Sequence, residues 1–326
     1  MVRLGIVGRN FVVDWLLSVV DQVPEVKPVA VYSRTMEGAK EFAAKYDLPY
    51  TFDRLEDLAA CPEVDAVYIA SPIGCHYAQS KLLLEAGKHV LCEKAACTNA
   101  AQLADLLETA RAHGVVWLEA MRLVHDDVMD IIRDALPQIG ALRRVTFEFT
   151  QYSSRYDRVR AGETGINAFD PSLSNGSLMD MGCYCVHGIV HLFGRPERVC
   201  AIGSKLDTGF DCNGIVLMQY PGFVAEAVYS KVSKQTAPTT LMGEDGAILM
   251  DDINRTKHLW LQPRKGRMRE LPYKEKQPIN MMYELRHFCD MIRGDMDPAP
   301  WNENSLITLQ IMDEARRQMG IVFPNE

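Results

Sequence analysis

Five short β-rich runs open the chain: Leu4–Val7, Val29–Tyr32, Ala66–Ile69, His89–Cys92 and Val115–Leu118. Between them lie amphipathic stretches with helical periodicity, as over Met36–Tyr46, Cys75–Ala86 and Asn99–His113. A strand joined to the next by a helix of that length returns to the same sheet in parallel, by a right-handed crossover. The first third is therefore predicted to form a doubly wound parallel sheet of the Rossmann type, which binds dinucleotides at the carboxyl ends of its strands.

After Met121 the rhythm changes, so the boundary is expected between a dinucleotide-binding domain at 1–121 and a second domain at 122–326. The second part reads as a helix over Leu123–Leu136, a strand over Arg143–Thr150 and a helix over Cys183–Phe193. Strand-like runs follow at Gly214–Tyr220, Phe223–Lys231, Thr239–Met242 and His258–Leu261, separated by turn residues. That spacing predicts an α/β domain with a large, mostly antiparallel open sheet. Two helices, Met281–Arg293 and Asn304–Met319, close the chain, with Gly320 placed as a C-cap.

With 326 residues, 48% of them hydrophobic, the chain has ample material for a two-domain core, which excludes a disordered or fibrous protein. A net charge of −8 offers nucleic acid or an anionic membrane no general attraction. No apolar run approaches the roughly 18 to 20 residues that span a bilayer. Nine scattered cysteines, an odd number, suit reduced thiols, so neither a disulfide framework nor an extracytoplasmic location is expected.

The first strand runs into Gly8-Arg9-Asn10-Phe11 and then a helical pattern, where backbone N–H groups at a helix N-terminus could hold a pyrophosphate. Asn10 stands where the usual G-x-G-x-x-G fingerprint has its middle glycine; Asn tolerates positive φ better than most residues, but its side chain adds bulk where the phosphates approach. The second strand ends at Ser33-Arg34, where an acidic residue would grip the ribose diol of NAD. A hydroxyl and a guanidinium suit a 2′-phosphate instead, so NADP is expected, with NAD still possible.

Further segments carry a resemblance. Ala70-Ser71-Pro72 with His76, Gly87 to Lys94 ending in Glu93-Lys94, and Gly176 to Tyr184 around Asp180 resemble the glucose–fructose oxidoreductase, inositol dehydrogenase and MocA family. The ending Gly320-Ile321-Val322-Phe323-Pro324 resembles its dihydrodiol dehydrogenase branch. The resemblance implies an NAD(P)-dependent oxidoreductase acting on CH–OH groups of sugars, cyclitols or trans-diols, assembled as a homodimer or homotetramer. It places Ser71, Pro72, His76, Glu93 and Lys94 with Gly8, Arg9, Asn10, Phe11, Ser33 and Arg34 around the cofactor. It makes Lys94, Asp180 and Tyr184 the catalytic set. The family's usual proline after the lysine is here Ala95.

Hydride exchange at a carbinol carbon requires a group that takes or gives the hydroxyl proton, and Lys94 and Tyr184 both have that chemistry. Asp180 would orient the lysine, bind a substrate hydroxyl, or simply cap the helix beginning near Met181. An aromatic and basic loop, Gln151 to Asp170, with Tyr152, Arg155, Tyr156, Arg158 and Asn167, is placed to cover a substrate. Cys183, Cys185, His187 and His191 suggest a metal cluster, yet two cysteines two apart on a helix point to different faces, and no metal is expected. A redox-assisted lyase that retains its nucleotide, and a nucleotide-sensing regulator, remain open alternatives on sequence.

Overall fold

The computed structural model describes residues 1–275 and 279–323, so Pro324 of the carboxyl-terminal motif lies outside the described residues. The chain divides into two compact units: Met1–Arg122 with Gln277–Leu306, and Leu123–Lys276 with Ile307–Glu326.

The first unit holds six parallel strands: β1 (Val2–Val7), β2 (Val26–Tyr32), β3 (Tyr50–Phe52), β4 (Ala66–Ile69), β5 (His89–Glu93) and β6 (Trp117–Ala120). Their order is β3-β2-β1-β4-β5-β6, with the reversal between β1 and β4. Strand β4 is buried at all four positions, and β1 at five of six, as strands covered on both faces must be. Helices α1 (Phe11–Val19), α2 (Met36–Tyr46), α3 (Leu55–Ala60), α4 (Ile73–Glu85) and α5 (Ala100–Ala112) make the crossovers. Thr35 and Asn99 cap α2 and α5 by accepting from Gly38 N and Gln102 N. Neither β3 nor α3 is evident in the sequence pattern; both are too short to show a period.

In the second unit, α6 (Arg122–His125) and α7 (Val128–Ala135) replace the single helix expected over 123–136. The chain breaks between them, where Asp126 accepts from Val128 N at 3.3 Å. An eight-stranded sheet follows: β7 (Leu142–Thr150), β8 (Arg198–Lys205), β9 (Asp211–Tyr220), β10 (Phe223–Ser230), β11 (Thr239–Gly243), β12 (Gly246–Met250), β13 (Leu259–Pro263) and β14 (Arg269–Glu270). Its order is β14-β13-β12-β11-β7-β10-β9-β8, with β7 and β10 parallel and every other pair antiparallel. Strands β8, β12 and β14 escaped the sequence reading.

A short helix α8 (Tyr156–Arg160) lies in the loop after β7, and α9 (Cys183–Phe193) packs on the inner face of the sheet. Gly188 permits that approach: a Cβ there would sit 2.7 Å from the Phe147 ring. The outer face exposes Ile202, Leu217 and Val224 at 72, 41 and 46%, along with Ile215 and Met242.

Helix α10 (Met281–Arg293), which the sequence assigned to the second domain, belongs to the first unit. Its apolar stripe of Met281, Met282, Leu285, Phe288 and Cys289 joins the core cluster of Leu4, Ile6, Val13, Leu16 and Phe42. Helix α11 (Ala299–Met319) starts in the first unit and ends in the second, at Gly320 with φ of 63°. All nine cysteines are free thiols. No described helix is long and apolar enough to cross a membrane.

Candidate active site

At the strand-order reversal, Gly8 holds φ at 114°, and a Cβ on it would lie 2.7 Å from the Ala70 carbonyl oxygen. Only glycine meets both conditions. Asn10 does not use the left-handed tolerance expected of it. Its backbone is extended, at φ −88° and ψ 173°, and its side chain caps α1, accepting from Val12 N at 2.9 Å and Val13 N at 3.3 Å. The amide also donates to Ala70 O at 2.7 Å. Arg9, Asn10 and Phe11 are exposed at the start of α1, so the open end of that helix is accessible to an anion.

Beyond β2, Ser33 is buried and its N–H donates to Phe52 O at 3.0 Å, while Arg34 is exposed. Arg9 reaches the first turn of α2, donating to Gly38 O at 3.2 Å and facing Glu41 at 3.5 Å. Arg34 acts electrostatically on Cys75 in the first turn of α4, opposing the burial that raises the thiol's pKa. Two guanidinium groups therefore border the carboxyl end of β2, and no carboxylate occupies the Ser33-Arg34 position. A glycine turn, an accessible helix N-terminus and these cations fit the pyrophosphate and ribose-phosphate of a dinucleotide.

The segment after β4 is tied to the segment after β5 through His76. This residue is 1% exposed, and its ring nitrogens face Ser71 O at 2.8 Å and Ala95 O at 3.0 Å. Burial lowers its pKa, against the Ser71 and Ala95 carbonyl contacts, which raise it. His76 thus braces two backbone segments with its side chain spent internally. Ser71 Oγ donates to Gln79, and Pro72 precedes the first turn of α4.

Lys94 follows β5, and its peptide bond to Ala95 is cis. Glu119 clamps the next residues: Oε1 accepts from Ala96 N at 2.8 Å, and Oε2 from Ser305 Oγ at 2.6 Å. Glu93 accepts a hydrogen bond from the buried Tyr68 hydroxyl. Burial raises the Glu93 pKa, against the pull of Tyr68, Lys94 and Arg122. Glu284 on α10 is fully buried, its oxygens find no hydrogen-bond partner among the described residues, and burial together with Glu93 raises its pKa well above the carboxylate range. The sequence offers no sign of Tyr68, Glu119 and Glu284, because they are brought to this motif from distant strands and a helix.

In the second unit, Leu178–Gly182 winds as a π-helical turn that leads into α9. Ser177 Oγ donates to Cys212 O at 2.8 Å, and Leu178 N to Asp211 Oδ2 at 2.6 Å. Burial pushes the Asp211 carboxyl up to about 7. The turn presents Asp180, which is no helix cap: its Oδ2 lies 2.7 Å from Lys231 Nζ. Tyr184, one turn on, is 6% exposed and meets the Phe149 ring edge-on at 5.5 Å. Among the described residues no group of three His, Cys, Asp or Glu is arranged to hold a metal ion, and the Cys183 and Cys185 thiols lie against Asp180 O and Val228 O.

Tyr152, Tyr156 and Phe169 of the loop after β7, with Phe210 just before β9, form a run of ring contacts at 4.8 to 5.7 Å. Arg158 pairs with Glu163 and Asn175 donates to Asn167 O, so part of the polar equipment expected to face a substrate is engaged within the loop.

A Rossmann sheet with this turn and an eight-stranded second sheet define a nicotinamide-dinucleotide oxidoreductase of the two-domain type. The chain belongs to the GFO/IDH/MocA oxidoreductase family: residues 2–120 match its NAD-binding Rossmann fold, and residues 135–249 match its C-terminal domain. It is 42% identical to scyllo-inositol 2-dehydrogenase (NADP(+)) IolU of Bacillus subtilis, over 99% of both chains. It is 31% identical to the trans-1,2-dihydrobenzene-1,2-diol dehydrogenase of Bos taurus, over 99% of this chain and 98% of that one. The fold matches a 3-ketoreductase from Actinomadura kijaniata in complex with NADP and TDP-benzene, with a TM-score of 0.84, 22% identity and 98% of each chain covered.

Proposed function

We propose that this protein is an NADP-dependent dehydrogenase of cyclic polyols, with inositols as the substrate class and trans-diols as the nearest alternative. The observation that carries the cofactor choice is the cationic end of β2, where Arg34 and Arg9 stand and the acidic ribose ligand is missing. Identity to a scyllo-inositol 2-dehydrogenase along the whole chain supports the substrate class.

The bound nucleotide supplies the hydride acceptor. Residues Gly8, Arg9, Asn10 and Phe11 receive the pyrophosphate; Ser33 and Arg34 read the ribose phosphate; Ser71, Pro72, His76 and Glu93 shape the nicotinamide end. Lys94 and Tyr184 share the role of taking or giving the hydroxyl proton. Asp180, paired with Lys231, accepts a hydrogen bond from a substrate hydroxyl.

Met1–Arg122 with Gln277–Leu306 serve the nucleotide, and Leu123–Lys276 with Ile307–Glu326 supply substrate binding and assembly. Ile202, Ile215, Leu217, Val224 and Met242 form an apolar outer sheet face that supports a homodimer or homotetramer. Nine free thiols suit the reducing cytoplasm.

The test is a calorimetric titration with NADPH and NADH, followed by absorbance assays of scyllo-inositol, myo-inositol and a trans-cyclohexanediol with the preferred nucleotide. Tighter NADPH binding with inositol turnover is expected. Lys94→Ala should cut turnover by about 10²- to 10⁴-fold while nucleotide affinity stays within a few-fold. Nucleotide binding without turnover of any of the three would sink the polyol reading.

A further inference from the structure

Lys231 follows β10 in the second unit, yet it is only 7% exposed. An ammonium so enclosed requires partners for its N–H groups, and here they come from different parts of the unit. One is the Asp180 carboxylate on the π-helical turn, at 2.7 Å. A second is the Ala168 carbonyl in the loop after β7, at 3.1 Å. The rings of Phe169 and Phe210 complete the cage, with centroids 5.5 and 5.9 Å from Nζ.

The neighbouring backbone is equally constrained. Lys231 N donates to Cys212 O at 3.1 Å, and Ser153 N donates to Lys231 O at 3.0 Å. Lys231 is thus a single side chain, on a segment hydrogen-bonded on both sides, that grips both the Asp180 carboxylate proposed to bind substrate and the loop proposed to cover it. Asp180 keeps about a third of its side chain exposed, enough to present an oxygen to a ligand while Oδ2 stays on the ammonium.

We propose that Lys231 is a positioning residue: it aims the Asp180 carboxylate at the substrate and latches the 151–175 loop to the same point. The loop's placement and the carboxylate's aim are then set together. This rests on the polyol dehydrogenase reading for its catalytic half, whereas the latch stands on the contacts of Ala168 and Phe169 alone.

The test compares the full-length enzyme with Lys231→Met, Lys231→Arg, Asp180→Asn and the Asp180→Asn/Lys231→Met double variant. Two readouts are used: NADP⁺ reduction with scyllo-inositol, and the rate of trypsin nicking at the exposed Arg155, Arg158 and Arg160. Lys231→Met should lower kcat about tenfold or more with KM for NADP⁺ within about twofold, and Lys231→Arg should recover part of the loss. In the Asp180→Asn background, Lys231→Met should cost little further turnover, because the two act as one unit. Nicking should speed up by about tenfold in Lys231→Met. Near-native kcat in Lys231→Met, or losses that multiply in the double variant, would overturn the positioning role; unchanged nicking would overturn the latch. If the wild type oxidises none of scyllo-inositol, myo-inositol and a trans-cyclohexanediol, the polyol reading falls, and the trypsin rates alone decide whether Lys231 holds the loop.

Discussion

The side-chain amide of Asn10 donates to the main-chain carbonyl of Ala70 at 2.7 Å, joining the turn after β1 to the end of β4. The same side chain caps α1 through its oxygen, so one residue does in cis and across the sheet what a glycine there could not. This bridge sits at the point where the proposed pyrophosphate site is built.

Asn10→Ala should therefore cost about 1 kcal/mol through the lost cap, and more through the lost bond to Ala70. Asn10→Gly restores the middle glycine of the usual fingerprint and weakens the cap by only a few tenths of a kcal/mol, though it also removes the Ala70 bond. Urea unfolding and NADPH titration of both variants check this. Equal stability of Asn10→Ala and wild type would show that the bridge contributes nothing.

His76 carries a pH signature. Its folded pKa is lowered by burial, so the folded protein takes up a proton less readily than the unfolded chain, whose histidine titrates near ~6.5. The stability tied to the neutral ring is fully present above about pH 6.5 and is lost as pH falls below it. His76→Gln should flatten the decline in unfolding free energy between about pH 6.5 and 5. An unchanged slope would mean that His76 is not a source of acid lability.

Asp211 behaves in the opposite sense. The unfolded carboxyl ionises near ~3.9, the folded one at about 7, so the folded state retains a proton over the interval between. Its effect on stability is absent at strongly acid pH and grows more unfavourable as pH rises through that interval, by at most about 4 kcal/mol. Asp211→Asn should gain on wild type by about 1 kcal/mol or more between pH 5 and pH 8. Chemical denaturation at both pH values reads the difference directly, and a constant gap would refute the assignment.

The outer sheet face makes a prediction about mass. Leu217 lies opposite Glu226 on one side and Cys200 on the other, and it is 41% exposed. Leu217→Glu should leave monomer stability within about 0.5 kcal/mol, as surface changes usually do, yet shift sedimentation to the single-chain mass. A wild type that already sediments as one chain would dispose of the interface.

Much of the architecture could be read directly from residue order. Helices Met36–Tyr46, Cys183–Phe193 and Met281–Arg293 stand where periodicity and flanking residues put them, and β4 is the apolar run expected of a strand covered on both sides. What escaped was either short or settled by partners far along the chain. Strands β8 and β14 lie at sheet edges and are mostly exposed, so they carry little of the alternation that marks a half-buried strand.

At the site, the motifs around Gly8, Lys94 and Asp180 could be located from their neighbours in sequence. Their supports could not. Nothing local to Lys231 says that it meets Asp180, and nothing near Glu284 says that its carboxyl enters the same core as Glu93. Asn10 was legible as an unusual residue, but its role depends on a carbonyl supplied by β4.

The chain passes between its two units three times: after Arg122, before α10, and midway through α11. Neither unit with its full complement can therefore be excised as one contiguous fragment. A truncation at residue 122 would strip the Leu4 and Leu16 side of the core of its cover from Leu285 and Phe288. In architectural terms the second sheet is an insertion carried inside the nucleotide-binding unit, and α11 is the seam where the host sequence ends and the guest resumes.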